Sequence, residues 1–402
     1  MKDAIRQAEE EIPNRVEPRC RHFGPCGGCS LQHLDYAAQV EWRRAGVASL
    51  LERELGGVRI PPVEAVPMPE PWNHRSKMEF TFGREGEGIS LGLHLRGSFH
   101  RIVDIERCEI AHPRVGPLLE AVKESAVRSG LPSYDVKRHA GFWRFAVVRA
   151  GRSGQLMLLL VTNDGPREPV EAMAAELPRR VPELRSFHWG VSAKVSDVAR
   201  PDRSELLFGE GTLEDAIGPV RYRFGPANFL QPNQALVEPV HRAIRESAGL
   251  TGAETVYDLY CGIGLISLTL AGGAERVRGV ESEPESVDLA EKNAALNGIA
   301  NAEFLCARVE DVLRKGALFR SGPAPDVVVL DPPRAGLHGD VIAPLLEAQP
   351  SRLIYLSCNP ASLARDLKLL LGRDPGYQIR SARMFDFFPH TVHAEVLVTL
   401  AR

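Results

Sequence analysis

Between Thr255 and Arg402 seven apolar runs of strand length follow one another: TVYDLY, RVRGVES, AEFLCA, PDVVVLDPP, LIYLSCNP, IRSARMFDFFP and AEVLVTLAR. Helical stretches separate the earlier ones. Neighbouring parallel strands need a crossover of a dozen or more residues, usually a helix, so this alternation predicts a mostly parallel, doubly wound α/β sheet. The last two runs are joined only by His390-Thr391-Val392-His393 and its neighbours, too short a link for a crossover. The final strand is therefore expected to run antiparallel.

Sheets of this kind bind ligands beyond the carboxyl ends of their strands, and several of those ends carry reactive side chains. TVYDLYCGIGLISL reads as a buried strand, a Gly262-Ile263-Gly264 turn and an apolar helix. Glu281 closes the next strand 17 positions after Gly264, where a carboxylate can accept both ribose hydroxyls of a nucleoside lying over the turn. The third glycine of the dinucleotide fingerprint is missing, and with an antiparallel final strand this favours S-adenosylmethionine over NAD. Asp331-Pro332-Pro333-Arg334 ends the fourth strand at the same crevice as a rigid rim. LIYLSCNP brings Cys358 to the end of its strand, and Asn359-Pro360 cannot prolong that strand. A lone cysteine is as readily a small core hydrophobe as a reactive thiol; the acids around this one favour the thiol.

The first half of the chain is of another kind. Residues 1–19 are polar, with Glu9, Glu10 and Glu11 in succession, and read as a loose lead-in. Cys20-Arg-His-Phe-Gly-Pro-Cys26-Gly-Gly-Cys29 follows, three thiols in a glycine-rich loop with no core to bury them, which is the pattern of a multi-thiolate site. Cys108 is the only other cysteine before residue 260 and the candidate fourth ligand. Zinc and an iron–sulfur cluster both accept four thiolates, and spacing does not choose between them. A helix is predicted over about 32–55, with Val40, Val47, Leu50 and Leu51 on one stripe and Gly56-Gly57 at its end. From Trp72 to about Leu213 strand-like runs dominate, interrupted by one helix near Arg167–Glu176. Two basic stretches, Asn73-His74-Arg75-Ser76-Lys77 and Lys137-Arg138-His139 leading into Phe142-Trp143-Arg144-Phe145, interleave cations with aromatics, which suits phosphate contact and base stacking, although each taken singly reads more readily as a solvated sheet face.

A formal net charge of −3 gives no global signature of nucleic-acid binding, so any such surface must be local. No run of 18 apolar residues is present and the charged start MKDAIRQAEEEIPNR has no apolar signal core. Neither membrane span nor secretion signal is expected, and the cytoplasm is the default compartment. Seven cysteines, an odd number spread unevenly, argue against a secreted disulfide framework.

CRHFGPCGGC, Cys108, NFLQPN, DLYCGIGLISL, GVES, VVLDPPRAGL, YLSCNPASLARDL and FDFFPHTVHAEVL occur in this order from Cys20 to the C-terminus. Together they resemble the RNA (uracil-C5)-methyltransferases, iron–sulfur enzymes that make 5-methyluridine in ribosomal and transfer RNA. The resemblance implies a seven-stranded Rossmann-like methyltransferase domain over 219–402, preceded over 20–218 by a smaller, strand-rich α+β domain that binds RNA and carries the iron–sulfur loop. It implies a 4Fe-4S cluster on Cys20, Cys26, Cys29 and Cys108, Cys358 as nucleophile and Glu395 as base. S-Adenosylmethionine contacts are implied for Gln231, Tyr260, Glu281 and Asp331, beside the Gly262 and Gly264 turn. Members often carry an N-terminal oligonucleotide-binding barrel, for which 19 residues are too few. Leu265 and Arg308 depart from polar contacts that relatives have at those places, and neither is carried over.

The implied reaction explains the residue types. A thiolate added to C6 of uracil puts electron density on C5, which then takes the methyl group, and a base must remove the C5 proton before the thiol can leave. A free thiol is only a few per cent ionised near neutrality, so a cation is expected beside Cys358, with Arg334 the nearest by topology. A stacked uridine cannot reach the crevice, which favours a loop substrate. The expected target is a uridine of 23S ribosomal RNA, with the transfer-RNA T-loop as the alternative and a non-catalytic iron–sulfur RNA-binding protein as the remote one. A monomer is expected.

Overall fold

The structure, a computed structural model, describes all residues except 1, 87, 196, 197, 315, 316 and 321. Its larger sheet has the strand order Val63–Val66, Gln378–Phe385, Glu395–Ala401, Arg352–Ser357, Val327–Leu330, Thr255–Leu259, Arg276–Glu281, Ala302–Cys306. All seven strands anticipated from Thr255 onward are present, and Glu395–Ala401 runs antiparallel to both neighbours. An eighth is added from the first half of the chain, where Val63–Val66 pairs in parallel with Gln378–Phe385 at the sheet edge. Four residues between Pro62 and Pro67, only one of them fully buried, are too short to stand out as a strand in the sequence. Thr255–Leu259 and Val327–Leu330 are buried at every position, which is why they read as unbroken apolar runs.

Helix Tyr36–Leu55 starts at Asp35, whose side chain accepts Ala38 N–H at 2.9 Å. It lies against helix Pro360–Arg373 and buries Val40, Val47, Leu51 and Leu55 in the core of the larger sheet. Arg43 of this helix is 3% exposed. Its guanidinium donates to both carboxylate oxygens of Asp386, at 2.7 and 2.9 Å, and to the carbonyls of Phe388 at 3.0 Å and His393 at 3.3 Å. Tyr36 Oη adds a bond to Asp386 Oδ2 at 2.6 Å. A helix from the start of the chain thus grips the segment that leads into the final strand.

The second sheet has seven strands in the order Ile102–Asp104, Gly88–His94, Lys77–Glu85, Trp143–Ala150, Leu156–Thr162, Leu184–Val191, Arg203–Gly209. Helices Val115–Arg128 and Glu168–Arg180 pack on it. The sequence indicates the first five strands and the second helix, but not Val115–Arg128, which lacks a capping side chain at Arg114. Nor does it indicate Leu184–Val191 or the largely exposed edge strand Arg203–Gly209. Lys2–Glu11, expected as part of a loose lead-in, is a helix. Ala8 and Ile12 bury against Leu31 and Leu34, and Trp42 Nε1 donates to Glu11 at 2.8 Å, so partners later in the chain supply what its own polar sequence lacks. Among the described residues no helix is long and apolar enough to cross a membrane.

Replacing Arg43 by Met should leave the Asp386 carboxylate buried without its cation, a change that typically costs about 3–5 kcal/mol. Urea unfolding of the variant should show a loss of that order with an unchanged slope. A loss no larger than the roughly 1 kcal/mol of an exposed pair would mean that water reaches Asp386.

Candidate active site

The strand Thr255–Leu259 runs into a turn in which Tyr260, Gly262 and Gly264 all have positive φ, of 69°, 55° and 83°. A Cβ on Gly264 would stand 2.8 Å from the Phe304 ring, so this position is closed to other residues on two counts. Beneath the turn, fully buried Asp258 accepts Ser267 N–H at 2.9 Å and Ser267 Oγ–H at 2.6 Å, tying the strand to helix Leu265–Ala271. Glu281, ending the neighbouring strand, accepts Gly262 N–H at 3.1 Å on one oxygen and the N–H groups of Ser282 and Glu283 at 2.6 and 3.0 Å on the other. Its carboxylate is thereby fixed beside the glycine turn. Tyr260 Oη donates to Glu310 at 3.3 Å, and Gln231 Nε2 donates to Asp331 Oδ2 at 3.2 Å. The structure therefore brings Gln231, Tyr260, Gly262, Gly264, Glu281 and Asp331 to one edge of the sheet. Asp258 and Glu310 were not singled out from the sequence; an acid inside a buried strand and another opening a short helix carry no spacing signal.

Strand register brings the remaining pair together. Arg352–Ser357 lies parallel to Val327–Leu330 and antiparallel to Glu395–Ala401, with Ser357 opposite Val396. One step further along that register, Cys358 faces Glu395. Cys358 is half-buried, and Glu395 is 1% exposed. Asn359 caps helix Pro360–Arg373 by accepting Ala361 N–H at 3.2 Å, and its Nδ2 donates to the Arg334 carbonyl at 2.9 Å. Ser362 Oγ donates to the same carbonyl at 3.1 Å. The loop holding the thiol is thus fastened to the loop holding Arg334, whose guanidinium favours the ionised thiol.

Burial, then the charge of Glu395, pushes the Cys358 thiol up, while Arg334 pulls it down by hydrogen bond and charge. Burial, then Asp331, holds Glu395 well above the usual carboxylate range, with Arg334 opposing. Asp331 is pushed up to about 7 by burial and by Asp258, against its bond from Gln231. Asp258 is pushed up to about 6 by burial, against its bonds from Ser267. Three neighbouring carboxyls this poorly solvated do not all ionise near neutrality. With Glu395 protonated, Cys358 loses one of the charges that oppose its ionisation and keeps Arg334 beside it, while burial still holds the thiol above its ordinary value. A thiol so placed can add to an electron-poor carbon, and the carboxyl opposite it, once ionised, can remove a proton from the adduct.

Cys20, Cys26, Cys29 and Cys108 are free thiols lining one small cavity between the N-terminal loop and the second sheet. Burial pushes Cys29 up to about 12 and Cys108 up to about 11, and raises Cys26 as well. Among the described residues no three His, Cys, Asp or Glu side chains are placed to hold a single metal ion. The cysteine loop is bonded to the segment before the final strand, since Ser30 N–H and Leu31 N–H both donate to the His390 carbonyl at 2.9 Å. The basic stretches are only partly at the surface. Arg144, expected to touch RNA, is 1% exposed and donates to the carbonyls of Ser192 and Lys194 at 2.9 and 2.7 Å. His74 and Ser76 are buried too, and Ser76 Oγ donates to the Gln231 carbonyl at 3.2 Å.

The family model described as tRNA (Uracil-5-)-methyltransferase matches residues 194–402. A Nitratidesulfovibrio vulgaris protein described as an uncharacterized RNA methyltransferase is 39% identical over 394 residues, covering 96% of this chain and 83% of its own length. One from Halalkalibacterium halodurans, similarly described, is 36% identical over 394 residues, covering 97% and 84%. The crystal structure of Pyrococcus abyssi tRNA (uracil-54, C5)-methyltransferase in complex with S-adenosyl-L-homocysteine matches with a TM-score of 0.75 at 30% identity, covering 94% of this chain and 86% of that one. With a glycine turn and acidic strand ends of the kind that hold S-adenosylmethionine, and with these likenesses over nearly its whole length, the chain belongs to the RNA uracil-C5 methyltransferase family.

Proposed function

We propose that this S-adenosylmethionine-dependent methyltransferase modifies C5 of a uridine in 23S ribosomal RNA through a covalent bond between Cys358 and C6 of the base. The observation that carries the reading is the antiparallel register that opposes Cys358 to Glu395 beside Asp331 and Arg334. Glu281 and the Gly262 and Gly264 turn, with Tyr260, Gln231 and Asp331, are the groups suited to hold the cofactor. When bound, S-adenosylmethionine supplies an electrophilic methyl group on a sulfonium. Cys358, ionised with help from Arg334, adds its sulfur to C6, and the electron pair so displaced makes C5 the nucleophile for that methyl group. Glu395, after giving its own proton to solvent, takes the proton from C5; the C6–sulfur bond breaks as the ring double bond re-forms, and the thiolate is regenerated.

The Cys20, Cys26, Cys29 and Cys108 cavity fits a 4Fe-4S cluster. Supporting this reading, all four residues line one cavity, and burial raises Cys26, Cys29 and Cys108, so these thiols carry charge only beside bound cations. We take residues 20–218 as the cluster-bearing and RNA-binding unit and 219–402 as the catalytic unit, with helix Tyr36–Leu55 packed on the latter. The ribosomal target follows the sequence resemblance alone; the bacterial relatives at 39% and 36% identity are described as uncharacterized RNA methyltransferases, and neither description names an RNA. The second reading, the T-loop uridine of tRNA, is favoured by the named substrate of the Pyrococcus abyssi enzyme. Mapping 5-methyluridine in 23S and transfer RNA from cells lacking this protein separates the two. Loss from tRNA alone selects the second reading, and loss from neither rejects both.

Cys358→Ala should bind RNA and cofactor yet give neither product nor adduct. Glu395→Gln keeps the nucleophile, so methylated RNA attached to protein should accumulate as a slow band on a denaturing gel; turnover at the parental rate would assign the base elsewhere. Arg334 lowers both Cys358 and Glu395, so the rising limb of the single-turnover pH profile should move to higher pH in Arg334→Gln. An unmoved limb would remove Arg334 from the ionisation of either group. Protein purified without oxygen should be brown with broad visible absorption that Cys26→Ser abolishes. A colourless protein with one zinc per chain would overturn the cluster assignment.

A further inference from the structure

In strand Lys77–Glu85, Phe80 and Phe82 face the core that the sheet shares with helices Val115–Arg128 and Glu168–Arg180, as does Ala146 from the neighbouring strand. The alternating residues Thr81, Gly83 and Phe145 border a groove of about 840 Å³ on the sheet's other side. Its walls come from separate parts of the chain: Arg84 from that strand, Phe99 and Arg101 from the 95–101 hairpin, and Tyr134, Lys137 and Arg138 from the loop before Trp143. Among the described residues that line it, four exposed cations face one carboxylate, Asp135. That carboxylate already accepts the N–H groups of Lys137 and Arg138, at 2.8 and 3.1 Å, and serves the loop's own turn. On a chain with a net charge of −3, this is a local concentration of positive charge.

The aromatics of the groove are presented differently from those of the core. Phe99 is 70% exposed. The Tyr134 ring is steadied by the buried Arg144 guanidinium, 4.2 Å from its centroid. Arg144 is in turn fixed by the Ser192 and Lys194 carbonyls, so the residue that cannot reach RNA itself braces one that can. Aromatic faces between unburied arginines and lysines are the chemistry of single-stranded nucleic acid, bases stacking while cations follow the phosphates.

One wall of the groove is also linked through backbone hydrogen bonds to the catalytic side of the molecule. The 95–101 hairpin and the end of its preceding strand join the cysteine loop through Gly27 N–H to the His94 carbonyl at 3.0 Å and Arg96 N–H to the Pro25 carbonyl at 2.8 Å. That loop joins the segment before Glu395 through the His390 carbonyl.

We infer that this groove binds a single-stranded RNA segment flanking the target uridine, with phosphates on Arg84, Arg101, Lys137 and Arg138 and bases on Phe99 and Tyr134. The inference rests on the reading of the chain as an RNA methyltransferase, yet its test does not need methylation. A fluorescein-labelled 12-nucleotide oligouridylate, titrated into the full chain at several salt concentrations, reports the groove directly. Arg101→Ala combined with Lys137→Ala should weaken binding at least tenfold at low salt and lower the salt slope by roughly 1.4, about 0.7 for each single-strand phosphate that the variant leaves unneutralised. Phe99→Ala should weaken binding while leaving the slope unchanged, and S-adenosylmethionine affinity and unfolding midpoints should be parental in all variants. Parental affinity and slope in the double variant would overturn the groove. Should the variants lose the oligonucleotide while the parent methylates no RNA, the groove stands and the proposed function falls.

Discussion

The antiparallel ladder between Arg352–Ser357 and Glu395–Ala401 is the constraint on which the site depends. In a wholly parallel sheet the C-terminal strand would begin at the opposite edge, and the first residue of that strand could not meet the last residue of its neighbour. Reversing the strand brings its N-terminal residue, Glu395, to the carboxyl edge where Cys358, Asp331 and Glu281 already lie. A slip of one residue would turn Glu395 to the other face of the sheet. Buried residues along both strands, Leu353 to Ser357 and Glu395 to Leu400, resist that slip through packing on each face.

Keeping this register exact enough for chemistry falls to parts of the chain far away in sequence. Arg43 and Tyr36 hold Asp386, and Arg43 also holds the His393 carbonyl, two residues before Glu395. Trp72 stacks on His390 with ring centroids 4.2 Å apart, and His390 Nε2 lies 3.1 Å from the Pro71 carbonyl. The short link between the last two strands is thus held from helix Tyr36–Leu55, the cysteine loop and the second sheet's approach segment together. Its electrostatics follow from the same enclosure. Burial makes Glu395 and Asp331 reluctant to ionise, and Arg334 is the cation that moderates both Glu395 and the thiol.

What could be read from the sequence was whatever local pattern determines. Strands buried on both faces announce themselves as apolar runs, and the glycines at 262 and 264 mark a turn that the structure realises with positive φ. The family resemblance named Cys358 and Glu395, and the short final link foretold that their strands oppose. Features made by distant partners were illegible. Val63–Val66 becomes a strand only because Gln378–Phe385 offers an edge, Lys2–Glu11 coils because Leu31 and Leu34 cover Ala8 and Ile12, and the Arg43–Asp386 pair has no sequence signature. Arg144 misled for the same reason. Its basic, aromatic neighbourhood suggests a surface, and only the fold reveals that the carbonyls of Ser192 and Lys194 claim it.

The proposed reaction depends on the bond between Cys358 and C6 of a uridine. RNA carrying 5-fluorouridine at the target should arrest the parental protein after methyl transfer, because fluorine cannot leave C5 as a cation and the sulfur stays attached. Digestion of the trapped complex and mass spectrometry of the modified peptide should find the methylated fluorouridine on the segment containing Cys358. Attachment at Cys261, or no covalent complex under conditions in which unsubstituted RNA is methylated, would contradict the central claim.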